Sequence, residues 1–223
     1  MIDLHTHSLF SDGELLPAEL TRRAAAAGYR AIAITDHGDL SNLDLIIPRL
    51  VRVAADLGRG WGLTVLPGIE LTHLPPDTIA AAAVEARRLG AAIIVCHGET
   101  IAEPVAPGTN RAALEADIDI LSHPGLISLK DAQLAAERGI LLEITTRCSH
   151  ALTNGHVVKM ALATGAHLVV NNDAHAPGDL VSLEMARKVA LGAGLSSEQF
   201  EECRRNAEDL VRKAAHSSSV SRH

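Results

Sequence analysis

Aromatic residues are nearly absent from this chain of 223 residues: they make up 2% of it, as one Trp, one Tyr and two Phe, whereas hydrophobic residues as a whole make up 47%. An interior built on ring stacking is excluded, and Ala, Leu, Ile and Val must fill the core, which is the packing of layered α/β folds. No apolar run reaches the length of a membrane-spanning helix, so no membrane partner is expected. The three cysteines, Cys96, Cys148 and Cys203, are odd in number and widely spaced, which excludes a disulfide framework. The first residues lack the basic and apolar regions of a secretory signal, and with the cysteine usage this makes a reducing cytoplasm the expected location. A net charge of −7 argues against broad, non-specific contact with phosphate backbones, so nucleic acid is not an expected partner, although a local basic site is compatible with it. Lysine is scarce too: Lys130, Lys159, Lys188 and Lys213 are the full set, and each falls in a stretch that reads as helix.

What is present is a repeat of one pattern: a short apolar run, a polar or Gly/Pro-containing turn, then a longer helical stretch. The apolar runs are "IDLH", "AIAITDH", "GLTVLPGIE", "AAIIVCHGE", "DILSHPG", "GILLEITTR" and "HLVVNNDAH", and they predict seven strands. Helical stretches such as "PAELTRRAAAAG", "NLDLIIPRLVRVAADLG" and "LKDAQLAAERG" lie between them, several closing on Gly. Alternation of this kind implies parallel pairing through right-handed crossovers. The connection "TIAEPVAPGTNRAALEA" is Pro- and Gly-rich in its first half and reads as a functional loop before a short helix that Thr109 or Asn110 would cap. Two further helices are expected over 178–193 and 196–215. The chain reads as one domain over 1–215 followed by a disordered Ser-rich tail, 216–223.

The reactive residues fall at the strand ends. His5 and His7 close the first strand, His37 the second, Glu70 the third, His97 the fourth, His123 the fifth, Arg147 the sixth, and Asp173 with His175 the seventh. An open sheet would spread them along a line too long for one site, whereas a β/α barrel gathers all its C-terminal strand ends at one mouth. The expected fold is therefore a distorted seven-stranded (β/α)7 barrel, similar to a TIM barrel. Residues two apart on a strand share a face, so His5 with His7 and Asp173 with His175 form two-toothed ligand sets. Imidazoles and carboxylates gathered at one mouth need cations to balance them, and the donor types suit Zn, Mn or Fe(II).

The motifs "HTH", "SDG", "ITDH", "GIE", "HGE", "SHP" and "NNDAH", in this order over residues 2 to about 180, make the chain resemble the PHP family, named for polymerase and histidinol phosphatase. The resemblance implies two to three divalent metal ions. Carried over residue by residue, His5, His7, Glu70 and Asp173 would hold the first, Glu70 would bridge to a second held by His97 and His123, and Asp12, His37 and His175 would hold the third. The length matches a stand-alone member rather than a polymerase-attached one. Amidohydrolase barrels also begin with a His-x-His strand but commonly bridge their metals with a carboxylated lysine, and no lysine here lies at a strand end.

Two metals sharing a water lower its pKa enough to attack a phosphorus centre near neutral pH, so a metal-dependent phosphoesterase is expected. A small phosphomonoester such as histidinol phosphate or a nucleotide is the expected substrate. A phosphodiesterase or phosphotriesterase on the same cluster, or a binding module that has lost catalysis, are the alternatives. Glu70 and Asp173 would serve catalysis directly. Arg147 could grip phosphate in a bidentate fashion, and Arg111 is a second substrate-binding candidate unless it pairs with Glu115. Asp3 and Glu143 share strand parity with the site and are expected to orient ligand imidazoles. His150 and His156 flank "ALTNG" after the sixth strand, where they could touch substrate or bind nothing, and they read as solvent-exposed loop histidines; Cys96 reads as core. Oligomeric state is not legible in the sequence.

Overall fold

The computed structural model describes residues 1–220, with side chains as far as Ala215. The apolar runs form β1 (Ile2–Asp3), β2 (Ala31–Ile34), β3 (Thr64–Leu71), β4 (Ile93–His97), β5 (Ile120–Ser122), β6 (Leu141–Thr145) and β7 (Leu168–Asn171), all paired parallel in chain order. Beyond β2 the chain touches β3 again at His37–Gly38, in register with Glu70 and Leu71. The seven-stranded barrel expected from the alternation is what forms. It is distorted at its seam: β1 and β7 meet through one bridge, Thr6 to Ala174, and side chains replace the missing ladder. Asn171 Oδ1 accepts the Leu4 N–H at 3.0 Å, and Asp3 Oδ1 accepts the Asn172 N–H at 3.1 Å.

The helices are α1 (Pro17–Ala26), α2 (Leu43–Trp61), α3 (Ile79–Arg88), α4 (Thr109–Glu115), α5 (Leu129–Arg138), α6 (Asn154–Thr164), α7 (Leu183–Gly192) and α8 (Ser197–Val220). Their starts and stops follow local chemistry. Ser128 Oγ accepts the Asp131 N–H at the head of α5, and the left-handed Gly139 ends it. At α4 the expected cap is different: Gly108 occupies the cap position, and Glu99 Oε1 takes the N–H groups of Gly108 and Asn110. Asn110 is instead a tie between loops, accepting from Glu99 N and donating to the Pro124 carbonyl. The first of the two C-terminal helices starts at Leu183 because Pro177–Asp179 forms a separate 3₁₀ turn. The second continues to Val220, past the point where the Ser-rich composition predicted a tail; the last of that tail, 221–223, lies outside the described residues.

Two apolar layers hold the assembly. One packs the outward faces of the strands against the helices, and Cys96 lies in it as expected. The other fills the barrel: Leu4, Ala33, Leu66, Ile93, Val95, Ile120, Leu141 and Val169, closed from below by Ala207 and Ala214 of α8. Burial of this surface stabilises the fold by about 25 cal/mol per Å². No described helix is long and apolar enough to cross a membrane.

Candidate metal centre

Alternate residues of a strand share a face, so each inward series climbs the barrel two residues at a time. On β3 the series is Leu66, Gly68, Glu70; on β4 it is Ile93, Val95, His97; on β7 it is Val169 and Asn171, with Asp173 next. The lower steps are apolar and the uppermost are imidazole or carboxylate. Gly68 is needed in this ladder, since a Cβ there would stand 2.7 Å from Thr35 Cγ2 and 2.8 Å from the Ile93 carbonyl oxygen.

Glu70 sits at the centre. Its Oε1 accepts the Ser122 hydroxyl at 2.8 Å and lies 3.2 Å from His5 Nε2 and 3.6 Å from His123 Nε2. Its Oε2 lies 2.8 Å from His37 Nδ1 and 3.7 Å from His7 Nε2. Asp173 comes in from the other side: Oδ1 is 3.1 Å from His7 Nε2 and 3.6 Å from His5 Nε2, and Oδ2 is 3.8 Å from His123 Nε2. At the rim, Asp12 Oδ1 stands 3.2 Å from His175 Nε2 and 3.5 Å from His37 Nε2. The sequence-expected ligands are thus brought together, His5, His7, Glu70, His97, His123 and Asp173 in the buried interior and Asp12, His37 and His175 nearer solvent. His123 and Asp173 both adopt positive φ, 25° and 53°, a conformation that costs roughly 1–3 kcal/mol in a non-glycine residue and concentrates at functional sites.

The electrostatics divide the cluster. Burial pushes the Glu70 carboxyl up, but the imidazoles of His5 and His37 outweigh it and hold it well below the ordinary carboxylate range. Burial lowers His5, yet Glu70, Glu143 and Asp173 together carry it well above the usual histidine value. His7 and His123 are driven well below that value by burial and then by His37 and His97 respectively. Burial raises Asp173 to about 7.

Glu103 and His73 carried no signal in the sequence, and His150 lies elsewhere than expected. Glu103, on the loop after β4, places Oε2 3.0 Å from His73 Nε2 and 3.2 Å from His97 Nε2, and Oε1 3.5 Å from His150 Nε2. His150 is buried, not solvent-exposed: a 3₁₀ turn, His150–Thr153, folds it under the mouth, where Thr100 Oγ1 meets its Nδ1 at 2.8 Å. Burial lowers its pKa to about 4. His156 is half-buried with Nε2 2.8 Å from the Ile127 carbonyl. A carboxylate in the Pro-rich loop was the one local signal available, since nothing in the spacing links residues 73, 103 and 150.

Of the remaining expectations, Glu143 meets an imidazole, with Oε2 2.8 Å from His5 Nδ1. Asp3 does not: its Oδ1 accepts the backbone N–H of His5 and of Asn172, because it points into the β1–β7 seam. Arg147 stands at the mouth, Nε 3.6 Å from Asp173 Oδ2 and Nη1 2.9 Å from His175 Nδ1. Arg111 is corrected as a substrate-binding candidate. It lies on the outside of α4 and is occupied by Glu115 at 2.8 Å and Asp131 at 3.4 Å, an i,i+4 pair and a neighbouring helix.

The residues fit divalent cations. His5 Nε2 and both nitrogens of His7 are closed to solvent and have no hydrogen-bond partner, a state that burial makes costly unless another ligand takes the lone pairs. The donors are imidazole and carboxylate, which suit first-row transition ions. A parallel β/α barrel carries its active site at the C-terminal mouth, and such a set there has the donors of a metal-dependent enzyme of barrel type.

Comparison with known proteins narrows the class. The PHP domain family model matches residues 3–98. An uncharacterised protein of Methanocaldococcus jannaschii is 48% identical over 89% of this chain and 92% of its own length. The 5'-3' exoribonuclease Rnm of Escherichia coli is 28% identical over 73% of this chain, which spans 54% of that enzyme. Among solved structures, histidinol phosphate phosphatase of Lactococcus lactis, complexed with zinc, L-histidinol and phosphate, superposes with a TM-score of 0.58 at 17% identity, covering 87% of this chain and 94% of the other. A chain of archaeal ribonuclease P with mature tRNA gives a TM-score of 0.71 at 17% identity, over 97% of this chain and 92% of that one. The chain belongs to the PHP domain family.

Proposed function

We infer that the protein is a phosphoesterase acting on a small phosphorylated substrate, a phosphomonoester such as histidinol phosphate or a nucleotide. The observation that carries the reading is the set of buried, unpartnered nitrogens of His5 and His7 facing the carboxylates of Glu70 and Asp173. In this reading His5, His7, Glu70 and Asp173 hold one ion, Glu70 with His97 and His123 a second, and Asp12, His37 and His175 a third, with Mn, Zn or Fe(II) as candidates. Bound there, the ions would polarise a phosphoryl oxygen and make water a nucleophile near neutral pH. The chain's own residues supply the rest. Glu70 sets the spacing of the first two positions, Glu143 fixes the tautomer of His5, and Arg147 presents a guanidinium to the phosphate from beside Asp173.

A second reading is favoured by the exoribonuclease relative: hydrolysis of a phosphodiester at a nucleic-acid end, which needs the same cluster and no broad basic surface. Phosphotriester hydrolysis would use it too. The test is metal-free protein reconstituted anaerobically with Mn, Zn or Fe(II) and offered phosphomono-, di- and triesters and a short 5'-phosphorylated RNA. Monoester turnover that disappears on chelation supports the first reading, faster release from RNA ends the second. No hydrolysis with any metal contradicts both.

A further inference from the structure

His150 and Glu103 converge on the second metal position from two separate loops. The rings of His97 and His123 have centroids 4.5 Å apart, and those of His123 and His150 are 4.2 Å apart. One nitrogen of each of the three lies within 4.8 Å of the others. The His97 and His150 centroids are 6.0 Å apart, so the three rings line one space, with His123 between the other two. His150 is also oriented for the role. Thr100 Oγ1 lies 2.8 Å from Nδ1, and Nε2 faces the space between Glu103 Oε1, at 3.5 Å, and Asp173 Oδ2, at 3.9 Å. In His97, Nδ1 meets the Gly98 carbonyl at 3.1 Å, which leaves Nε2 turned toward Glu103. Glu103 is held from outside by His73, whose φ of 53° lets it reach back from the end of β3.

We propose that His150 and the carboxylate of Glu103 join His97, His123 and the shared Glu70 at the second position, so that it takes a transition-metal cation with a fuller protein ligand set than the rim position has. The proposal rests on the metal-centre reading above. It gives the loop after β4 a defined task, delivery of Glu103, and it gives the turn after β6 another, delivery of His150.

The test is a titration of the metal-free full chain with Co(II) and Zn(II), read by calorimetry, by the visible spectrum of the Co(II) form and by elemental analysis after gel filtration. Wild type should bind more than one ion. His150→Ala and Glu103→Gln should each weaken one of those equivalents at least tenfold and alter the Co(II) spectrum, while the other equivalents persist. If His150→Ala does not fold, Glu103→Gln, on a solvent-facing loop, carries the same measurement. Unchanged affinity and spectrum in the variants, with or without a rise in KM, would overturn the proposal and leave the cluster intact. A wild-type protein that binds one ion or none would instead overturn the metal-centre reading itself.

Discussion

Glu143 Oε2 lies 2.8 Å from His5 Nδ1, and neither side chain is reached by solvent. Asn171 Nδ2 donates to the same oxygen at 2.9 Å, so the carboxylate is fixed in place. With a cation bound, His5 would keep its proton on Nδ1 and turn Nε2 toward Glu70 and Asp173. Glu143→Gln keeps the shape and removes the charge that makes Nε2 basic. Metal affinity should fall by about tenfold or more. Calorimetric titration checks this, and equal affinities would mean that Glu143 only fills space.

Glu70 touches more of the cluster than any rim residue, with His5 and His123 near one oxygen and His37 and His7 near the other. Glu70→Gln should therefore cost more activity than His37→Ala, whose side chain is partly exposed and serves one position. Metal content by elemental analysis should drop further in the first variant as well. Small, equal losses in both would contradict the bridging role. Both should fold, since the packed strands and helices below the mouth carry stability.

How much of this was legible depended on whether chain-local periodicity reached the residue. Glu70, His97 and Asp173 could be placed because the strand period of two ties each to an apolar partner lower in the barrel, Leu66, Ile93 and Val169. Asp12 was legible only through the family resemblance, since it sits in a loop with no period. Glu103 and His73 were not legible at all, and His150 was read as exposed: their meeting depends on how three loops fold over the mouth, and no local rule relates them. Asp3 was misread for a related reason, since the parity argument assumes a regular ladder and β1 lacks one at the seam.

Asp3 offers a pH test. Its Oδ2 is buried without a partner, and burial raises its carboxyl to about 7. Between the ordinary carboxylate value near about 4 and that value, the folded chain holds a proton that the unfolded chain has released. Stability from this residue is therefore full below about pH 4 and lost as pH rises through about 7. Asp3→Asn has no such proton to lose. The advantage of Asp3→Asn over wild type, measured by denaturant unfolding of the metal-free proteins, should be larger at about pH 8 than at about pH 4 by a few kcal/mol. An advantage that does not change with pH would mean that Asp3 ionises freely in the folded state.

Arg147 offers a test of substrate class. Its guanidinium stands beside Asp173, Nε to Oδ2 at 3.6 Å, and its side chain keeps 31% of its surface open to the mouth. A phosphomonoester carries up to two negative charges and a triester none, so a guanidinium aimed at phosphate favours the first. A hydrogen bond to a charged group contributes about 1.5–3 kcal/mol, so Arg147→Ala should lower kcat/KM for a monoester by roughly 10- to 150-fold and leave triester hydrolysis almost unchanged. Arg111→Ala is the control: its guanidinium is spent on Glu115 and Asp131 outside the barrel, and its loss should move neither rate. Metal content is measured alongside, because Arg147 also touches His175. If both substrate classes fall together at full metal occupancy, Arg147 positions Asp173 and does not grip phosphate. If neither falls, the guanidinium is only a partner for Asp173, and the phosphate must be held by the cluster alone.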